Sequence, residues 1–488
     1  MKRRRFLESI VAGTGVAAFG CTDDHRTPAS MPSGPRLLEG ERLRELEAVA
    51  NVAAGAREFS ATLRAGAGEV ALLPDVATRM SLYNGMYPGP LIELREGDRA
   101  RLTLDNALSE DTTIHWHGLA VPEEQDGNPM DPVRPGERRT YDFTVPAGSA
   151  GTYWYHPHPH NRTAAQVASG LAGALIVRDD DDALSHVPEV TLLITAVRLA
   201  AGGAISPNDA IDWTVGRQRE TLLVNGGRLP VHAVAPGATQ RWRILNATSS
   251  RHFRLALEGH ALTLVGTDGG LLGAPVGPLT EILVGPAQRV EVVVTASRTP
   301  NARFRLRALR YTADFLGLGS YADEDLLTMA TTTDPVAPPL AVPTRLRPLA
   351  DLGTPEAQQR VRFEEFGNLC TSTGATSAFF INGRPFDPSR IDLVTTVGRV
   401  ETWDVVNATS MAHPFHIHGT QFQLVSTGSG AVVTPAPYLA WIDTVVVPAG
   451  RTVTIKTRQA LPGRRMFHCH ILEHEDNCMM AILDVRPS

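Results

Sequence analysis

The segment MFHCHILEHEDNCMM, near the end of the chain, carries side chains that bind transition metals. Cys469 stands between His468 and His470, His474 follows, and Met479 lies ten residues after the cysteine. Successive side chains of a strand point to opposite faces, so the two histidines beside the cysteine share one face and the thiol takes the other. The segment therefore predicts two metal sites, back to back on one strand.

On the thiol face, Cys469 can meet His413 and His474, with Met479 as a weak axial ligand. Met480 points the other way if the segment is extended. Two histidines, one cysteine and a weak methionine form the ligand set of a mononuclear copper electron-transfer site. Zinc is the alternative, because it also accepts cysteine and histidine, but zinc has no redox role and rarely recruits methionine.

The opposite face belongs to a larger pattern of H-x-H pairs. Sixteen histidines occur in 488 residues, and random placement would produce roughly 0.5 such pairs. Five pairs occur, one of them His158 with His160, and four lie at matched positions in two parts of the chain: His115 and His117, His156 and His158, His416 and His418, His468 and His470. One pair alone would indicate buried structural histidines, whereas four matched pairs favour a shared metal cluster.

Three segments repeat one pattern, in which Gly opens an alternating strand and Asn closes it nine residues later: 97–106, 237–246 and 398–407. An Asn-Gly turn precedes each segment, and a further turn and strand follow. This pattern is typical of β-sandwiches. It predicts an all-β protein with three sandwich domains in tandem, at 50–183, 184–335 and 350–488.

The middle repeat is predicted to hold no metal. Leu255 and Leu257 take the places of the H-x-H pair there. His252 matches His413 of the third repeat, but no cysteine follows it at the corresponding distance.

The start of the chain, residues 1–36, predicts export. Three arginines precede a mild apolar segment too short to cross a bilayer, a pattern that resembles a twin-arginine signal, and a polar tether follows. Cys21 lies in a degenerate lipoprotein box, so a membrane tether through this residue stays open. Cys370 and Cys478 could pair after export or remain free thiols. We expect a periplasmic or cell-envelope protein.

The motifs HWHG, HPH, HPFHIHG and HCHILEH resemble, in this order, the four copper motifs of the multicopper oxidases, the family of laccases and bacterial copper-efflux oxidases. The resemblance implies three cupredoxin-like Greek-key sandwiches and four copper ions: one type 1, one type 2 and a type 3 pair. It implies His413, Cys469, His474 and Met479 for type 1, His115 and His416 for type 2, and His117, His156, His158, His418, His468 and His470 for type 3.

The implied reaction takes four single electrons from a reducing substrate and converts O2 into two waters. The resemblance points to Asp126 and Glu475 as catalytic proton relays, although both could instead orient ligand imidazoles. Asp443, in WIDTVVVP, is interpreted as structural. His160 extends the HPH run and is a possible neighbour of the ligands.

The leading expectation is a laccase-like oxidase of phenols. A cuprous oxidase for copper tolerance is the alternative, weakened because no methionine cluster occurs and because Thr409 stands where such enzymes often carry an acid. A non-catalytic copper-binding protein would not need the Cys469 bridge between two sites. The net charge of -6 and the scattered basic residues exclude a nucleic-acid groove. We expect O2 and a small reducing substrate as partners, and a monomer.

Overall fold

The computed structural model describes residues 37–313, 320–367 and 377–488. The predicted export signal, Cys21 and Cys370 lie outside these residues. Everything described belongs to the unit Pro35–Ser488. No helix in the described ranges is long and apolar enough to cross a membrane.

The first sandwich contains eight strands and one short α-helix. Its strands are β1 (Glu58–Val70), β2 (Thr78–Tyr83), β3 (Gly89–Arg95), β4 (Arg99–Ala107), β5 (His115–His117), β6 (Arg138–Thr144), β7 (Gly151–His156) and β8 (Gly173–Arg178), with helix α1 (Thr163–Ala168) and a 3-10 turn, Glu123–Gln125. The sheets have the orders β2-β1-β4-β6 and β3-β8-β7-β5. Antiparallel pairing of β5 with β7 sets His115 opposite His156.

The second sandwich has a six-stranded sheet, β10-β9-β12-β17-β14-β15, a five-stranded sheet, β11-β21-β18-β13-β16, and a small ribbon of β19 and β20. Its elements are β9 (Glu189–Val197), α2 (Ala210–Val215), β10 (Thr221–Val224), β11 (Val231–Val234), β12 (Thr239–Asn246), β13 (Phe253–Leu257), β14 (Leu262–Thr267), β15 (Gly270–Leu279), β16 (Ile282–Val284), β17 (Arg289–Thr295), β18 (Arg303–Leu309), β19 (Tyr311–Thr312), β20 (Ser320–Tyr321) and β21 (Glu324–Thr331).

The third sandwich repeats this plan with sheets β23-β22-β25-β30-β27-β28 and β24-β32-β31-β26-β29. Its elements are β22 (Ala357–Gly367), β23 (Ser377–Ile381), β24 (Leu393–Thr396), β25 (Val400–Asn407), β26 (His413–Ile417), β27 (Phe422–Ser429), β28 (Val432–Pro435), β29 (Thr444–Val447), β30 (Thr452–Arg458), β31 (Gly463–Cys469), α3 (Leu472–Asp476) and β32 (Met480–Arg486). Strand β31 pairs with β26, so that His416 lies opposite His468.

The predicted all-β fold with three cupredoxin-like sandwiches is confirmed. In each sandwich the strand that contains the repeated Asn pairs in parallel with the sandwich's first strand: β4 with β1, β12 with β9, and β25 with β22. The alternating pattern has the expected cause, since buried apolar residues of these strands form the cores between the sheets. The exact domain boundaries stay a prediction.

The repeated asparagines explain why the loops after these strands are alike. Asn407 is buried and donates through Nδ2 to the carbonyls of Met411 and Val447, both at 2.8 Å, while its Oδ1 accepts from the backbone N–H of Thr409 at 3.0 Å. Asn106 and Asn246 make the same three kinds of bond in their own sandwiches. Each asparagine thus fixes the loop that leads into the next strand.

Candidate metal centre

The eight predicted imidazoles converge on one buried cluster between the first and third sandwiches. Two stacked pairs cross between these sandwiches, His115 with His418 at 3.8 Å between ring centroids and His117 with His416 at 3.9 Å. All eight histidines are almost fully buried: His115, His117, His156, His158, His416, His418, His468 and His470. The structure therefore brings together every histidine that the H-x-H pattern predicted for this site.

Hydrogen bonds fix which nitrogen of most rings faces the cluster. His115 donates through Nδ1 to the carbonyl of Asp126 at 2.9 Å, and His416 donates to the carbonyl of Asp443 at 2.8 Å. Corresponding Nδ1 bonds occur at His156, His418 and His468. The opposite nitrogen then carries a lone pair, and Nε2 of His115 and of His416 has no hydrogen-bond partner.

Unpartnered buried nitrogens are costly unless they bind something. Groups of three ligand atoms lie within 4.8 Å of one another here, so the donors fit metal ions: His115, His117 and His156; His115, His416 and His418; His158, His418 and His468. Four further rings of the cluster keep unpartnered nitrogens: Nδ1 of His117 and of His158, Nε2 of His156, and both nitrogens of His470.

Burial, reinforced by neighbouring imidazoles, keeps these rings neutral. It holds the pKa of several cluster histidines well below its usual value: His117, His156, His158, His416, His418 and His470. The same cause lowers the pKa of His468 to about 3. Neutral imidazole is the form that binds a transition metal.

The thiol site lies on the other face of β31, as predicted. The Cys469 sulfur is 3.3 Å from Nδ1 of His413 and 3.9 Å from Nδ1 of His474, and these two nitrogens are 3.4 Å apart. All three side chains are fully buried. Burial raises the pKa of the Cys469 thiol, so a bound cation is needed to hold it as thiolate.

Met479 lies beside this site. Its N–H donates to the carbonyl of His474 at 2.9 Å, and its carbonyl accepts from the N–H of Cys469 at 3.2 Å. Met479 and Cys469 belong to one hydrophobic cluster, whereas Met480 packs in another with Phe386. The side-chain directions of the two methionines therefore follow the expected alternation.

The Nε2 atoms of the two thiol-site histidines, which point away from the sulfur, both make hydrogen bonds. The sequence did not indicate these two contacts. His413 donates through Nε2 to the Thr409 hydroxyl at 2.8 Å, and His474 donates through Nε2 to the backbone carbonyl of Thr214 at 3.1 Å. Thr214 belongs to helix α2 of the second sandwich. Because a backbone carbonyl makes this contact, no residue type in the sequence could have marked it.

Three carboxylates touch the histidine cluster. Asp126 accepts from Nδ1 of His418 at 2.8 Å, and Glu475 lies 3.2 Å from Nδ1 of His468. Asp443, interpreted from sequence as structural, accepts from Nε2 of His117 at 3.0 Å.

Two other histidines make ring contacts outside the ligand groups, although one of them, His252, is close enough to His413 to contribute, after burial and His474, to the lowered pKa of that ring. His160 packs its ring against Phe386, and His252 stacks on Tyr311. Neither residue belongs to any of the metal-ligand groups found among the described residues.

Comparison with known proteins agrees with this geometry. Three segments match profiles described as multicopper oxidase, at residues 65–182, 200–319 and 360–488. The chain is 31% identical to multicopper oxidase mco of Staphylococcus aureus, over 87% of this chain and 88% of that protein.

Similar solved structures include the multicopper oxidase of Campylobacter jejuni, described as a metallo-oxidase, with 38% identity and a TM-score of 0.86 over 92% of this chain and 96% of that one. Another is a laccase from Pediococcus acidilactici, with 31% identity and a TM-score of 0.80 over 93% of this chain and 95% of that one. The chain belongs to the multicopper oxidase family, whose members are copper oxidoreductases that use O2.

Proposed function

We propose that this protein is a four-copper oxidase that couples four one-electron oxidations of a small reducing substrate to the reduction of O2 to two waters. Its ligands would be His413, Cys469, His474 and Met479 for type 1 copper, His115 and His416 for type 2, and His117, His156, His158, His418, His468 and His470 for the type 3 pair. The observation that carries the proposal is the back-to-back arrangement on β31, where Cys469 faces one site and its two neighbours face the other.

When bound at these residues, type 1 copper would supply one-electron transfer and the other three coppers would supply the reduction of O2. The chain supplies the path between the two sites, since His468 donates through Nδ1 to the carbonyl of Cys469 at 3.0 Å. One residue and one hydrogen bond therefore link the thiol to an imidazole of the cluster. Cys469 and His468 are both fully buried, so this path is shielded from bulk solvent.

Reduction of O2 to water also consumes protons, and two carboxylates are placed to carry them. Glu475 touches His468 and His158, and both of its oxygens lack a hydrogen-bond partner. Asp126 accepts from His418 through Oδ2, while its Oδ1 accepts no hydrogen bond. We assign both as proton carriers, because each has an oxygen free to hold a proton beside the cluster.

The donor is the part of the reaction that needs the sharpest test. A phenol, as expected for a laccase, would deliver its electron at the edge of His474. That edge is fully buried and bonded to the carbonyl of Thr214. A second candidate is a low-valent metal ion such as Cu(I), because the Campylobacter jejuni relative is described as a metallo-oxidase; the burial of His474 does not distinguish the two donors.

We also propose an exported monomer of the periplasm or cell envelope, with a possible tether at Cys21. Cys478 is disulfide-bonded while Cys469 is free. A disulfide in an otherwise cysteine-poor chain supports an oxidising compartment.

Oxygen uptake by the copper-loaded protein tests the proposal, with Cu(I) and a methoxyphenol as parallel donors. We expect Cys469→Ser to abolish uptake with either donor while the trinuclear coppers stay bound. His186→Asn is the control, because His186 is exposed, bonds the carbonyl of Ala341 and should leave uptake intact. Wild-type turnover in the Cys469→Ser variant would disprove the proposed electron path.

A further inference from the structure

The second sandwich supplies no proposed copper ligand, yet a charged side chain from it is connected to the histidine cluster through a single intervening residue. Arg289, at the start of β17, is fully buried and binds Asp443 through two contacts, Nη1 to Oδ1 at 2.8 Å and Nη2 to Oδ2 at 2.5 Å. Asp443 in turn accepts from Nε2 of His117. A planar two-point contact fixes the orientation of the carboxylate as well as its position.

Asp268, also from the second sandwich, fixes the backbone around this ion pair. Its Oδ1 accepts from the N–H of Arg289 at 2.7 Å. Its Oδ2 accepts from the N–H groups of Asp443 and Thr444, at 3.2 and 3.3 Å. Asp268, Arg289 and Asp443 form a buried unit that we call the carboxylate clamp.

The clamp is fitted closely between all three sandwiches. Arg289 donates through Nε to the carbonyl of Thr152 in the first sandwich at 2.7 Å. Gly118, next to His117, has a φ of +87°, and a Cβ there would lie 2.1 Å from Oδ2 of Asp443 and 2.8 Å from Nη2 of Arg289. Only glycine leaves room for the clamp at this point.

The clamp acts on two imidazoles. The Asp443 side chain keeps the proton of His117 on Nε2, which leaves Nδ1 unpartnered and facing the cluster. The Asp443 carbonyl accepts from Nδ1 of His416. Burial alone would lower the pKa of Arg289, but Asp443 and Asp268 raise it above its usual value, so the guanidinium stays charged.

We propose that Asp268 and Arg289 are positioning residues, which hold Asp443 against His117 and His416 and so set the geometry of the trinuclear copper site from the second sandwich. The inference rests on the proposed copper assignment. A clamp that only joined the sandwiches would stabilise the fold without affecting the metals.

Asp268→Asn and Arg289→Lys test this role. Asn would turn an amide donor towards backbone donors, and Lys would lose the two-point contact. We expect either variant to weaken copper binding at the trinuclear site about tenfold or more in chelator competition. We also expect the electron paramagnetic resonance spectrum of type 2 copper to change, while the blue absorption of type 1 copper stays the same.

Arg241→Lys is the matched control. Arg241, on β12, is as buried as Arg289 and pairs with Glu291, which lies on the same strand as Arg289, β17. The described contacts connect this pair to no cluster histidine. The control should keep wild-type affinity and spectrum. The inference is overturned if both clamp variants retain wild-type affinity and spectrum, or if the control changes them equally.

The two proposals fail separately. If the wild-type protein binds four coppers but takes up no O2 with any donor, the proposed function fails. The affinities of the clamp variants still decide the positioning role in that case. If the wild-type protein binds no copper at the histidine cluster, both are wrong.

Discussion

Replacing the repeated asparagine should separate stability from metal binding, because three sandwiches share the residue and only two of them hold proposed ligands. Asn407→Ala removes the anchor of the loop that leads into His413. Asn246→Ala removes the same anchor in the second sandwich, where the next strand carries Leu255 instead. Both asparagines are buried and make the same set of hydrogen bonds to the backbone.

The expected loss of stability follows from these bonds. Each variant removes three side-chain bonds to the backbone. At about 1 kcal/mol for each bond the loss is ~3 kcal/mol. For a domain of about 150 residues, a loss of ~3 kcal/mol corresponds to a fall of roughly 6–12 °C in the midpoint temperature of unfolding.

Scanning calorimetry of the copper-free variants measures the first effect, and we expect similar falls for both. Chelator competition measures the second effect. Asn407→Ala should weaken the binding of type 1 copper, because the carbonyl of Met411, two residues before His413, loses its amide donor. Asn246→Ala should leave all four coppers in place. Equal copper affinity in the two variants would refute the argument that the asparagine positions the ligand.

Three further outcomes follow from single contacts. Thr409→Asp should lower the reduction potential of type 1 copper by roughly 40 mV in a redox titration, since a charged acceptor strengthens the bond from His413 by about 1 kcal/mol. Burial acts to raise the pKa of Glu189, but surrounding guanidinium groups lower it to about 2 from 4.5. Its contribution to stability is therefore complete above about pH 4.5 and is lost as the pH falls towards 2, a decline that should be smaller in calorimetry of Glu189→Gln. Gly118→Ala should lower the free energy of unfolding by about 3–5 kcal/mol, because the new Cβ would separate the buried ion pair of Arg289 and Asp443. Gly136→Ala, with φ +78° but open space around it, should lower the free energy of unfolding by only about 1 kcal/mol.

The sequence was sufficient to predict those parts of the structure that repeat or alternate. The strand alternation predicted the sandwiches, and the matched H-x-H pairs predicted the cluster. Strand geometry alone predicted that the side chains of Cys469 and His468 lie on opposite faces of their strand. These features depend on residues that are close in the chain or related by the repeat.

The contacts between sandwiches could not be predicted in this way. Thr214 acts through its backbone carbonyl, which every residue possesses. Arg289 and Asp443 are 154 residues apart and lie in different sandwiches. Neither the alternation of strands nor the spacing of histidines carries information about how one sandwich packs against the next.

Asp126 and Asp443 hold the two ends of the cluster in similar ways but have different freedom to react. Asp126 accepts from His115 through its carbonyl and from His418 through its side chain. Asp443 accepts in the same two ways, from His416 through its carbonyl and from His117 through its side chain.

The difference between these carboxylates comes from the second sandwich. Arg289 occupies both oxygens of Asp443, whereas Oδ1 of Asp126 accepts no hydrogen bond. A carboxylate held by a guanidinium at both oxygens is a poor proton carrier, and one with a free oxygen beside the cluster is suited to the task. We therefore propose that the second sandwich, through Arg289, holds Asp443 for positioning and leaves proton transfer to Asp126.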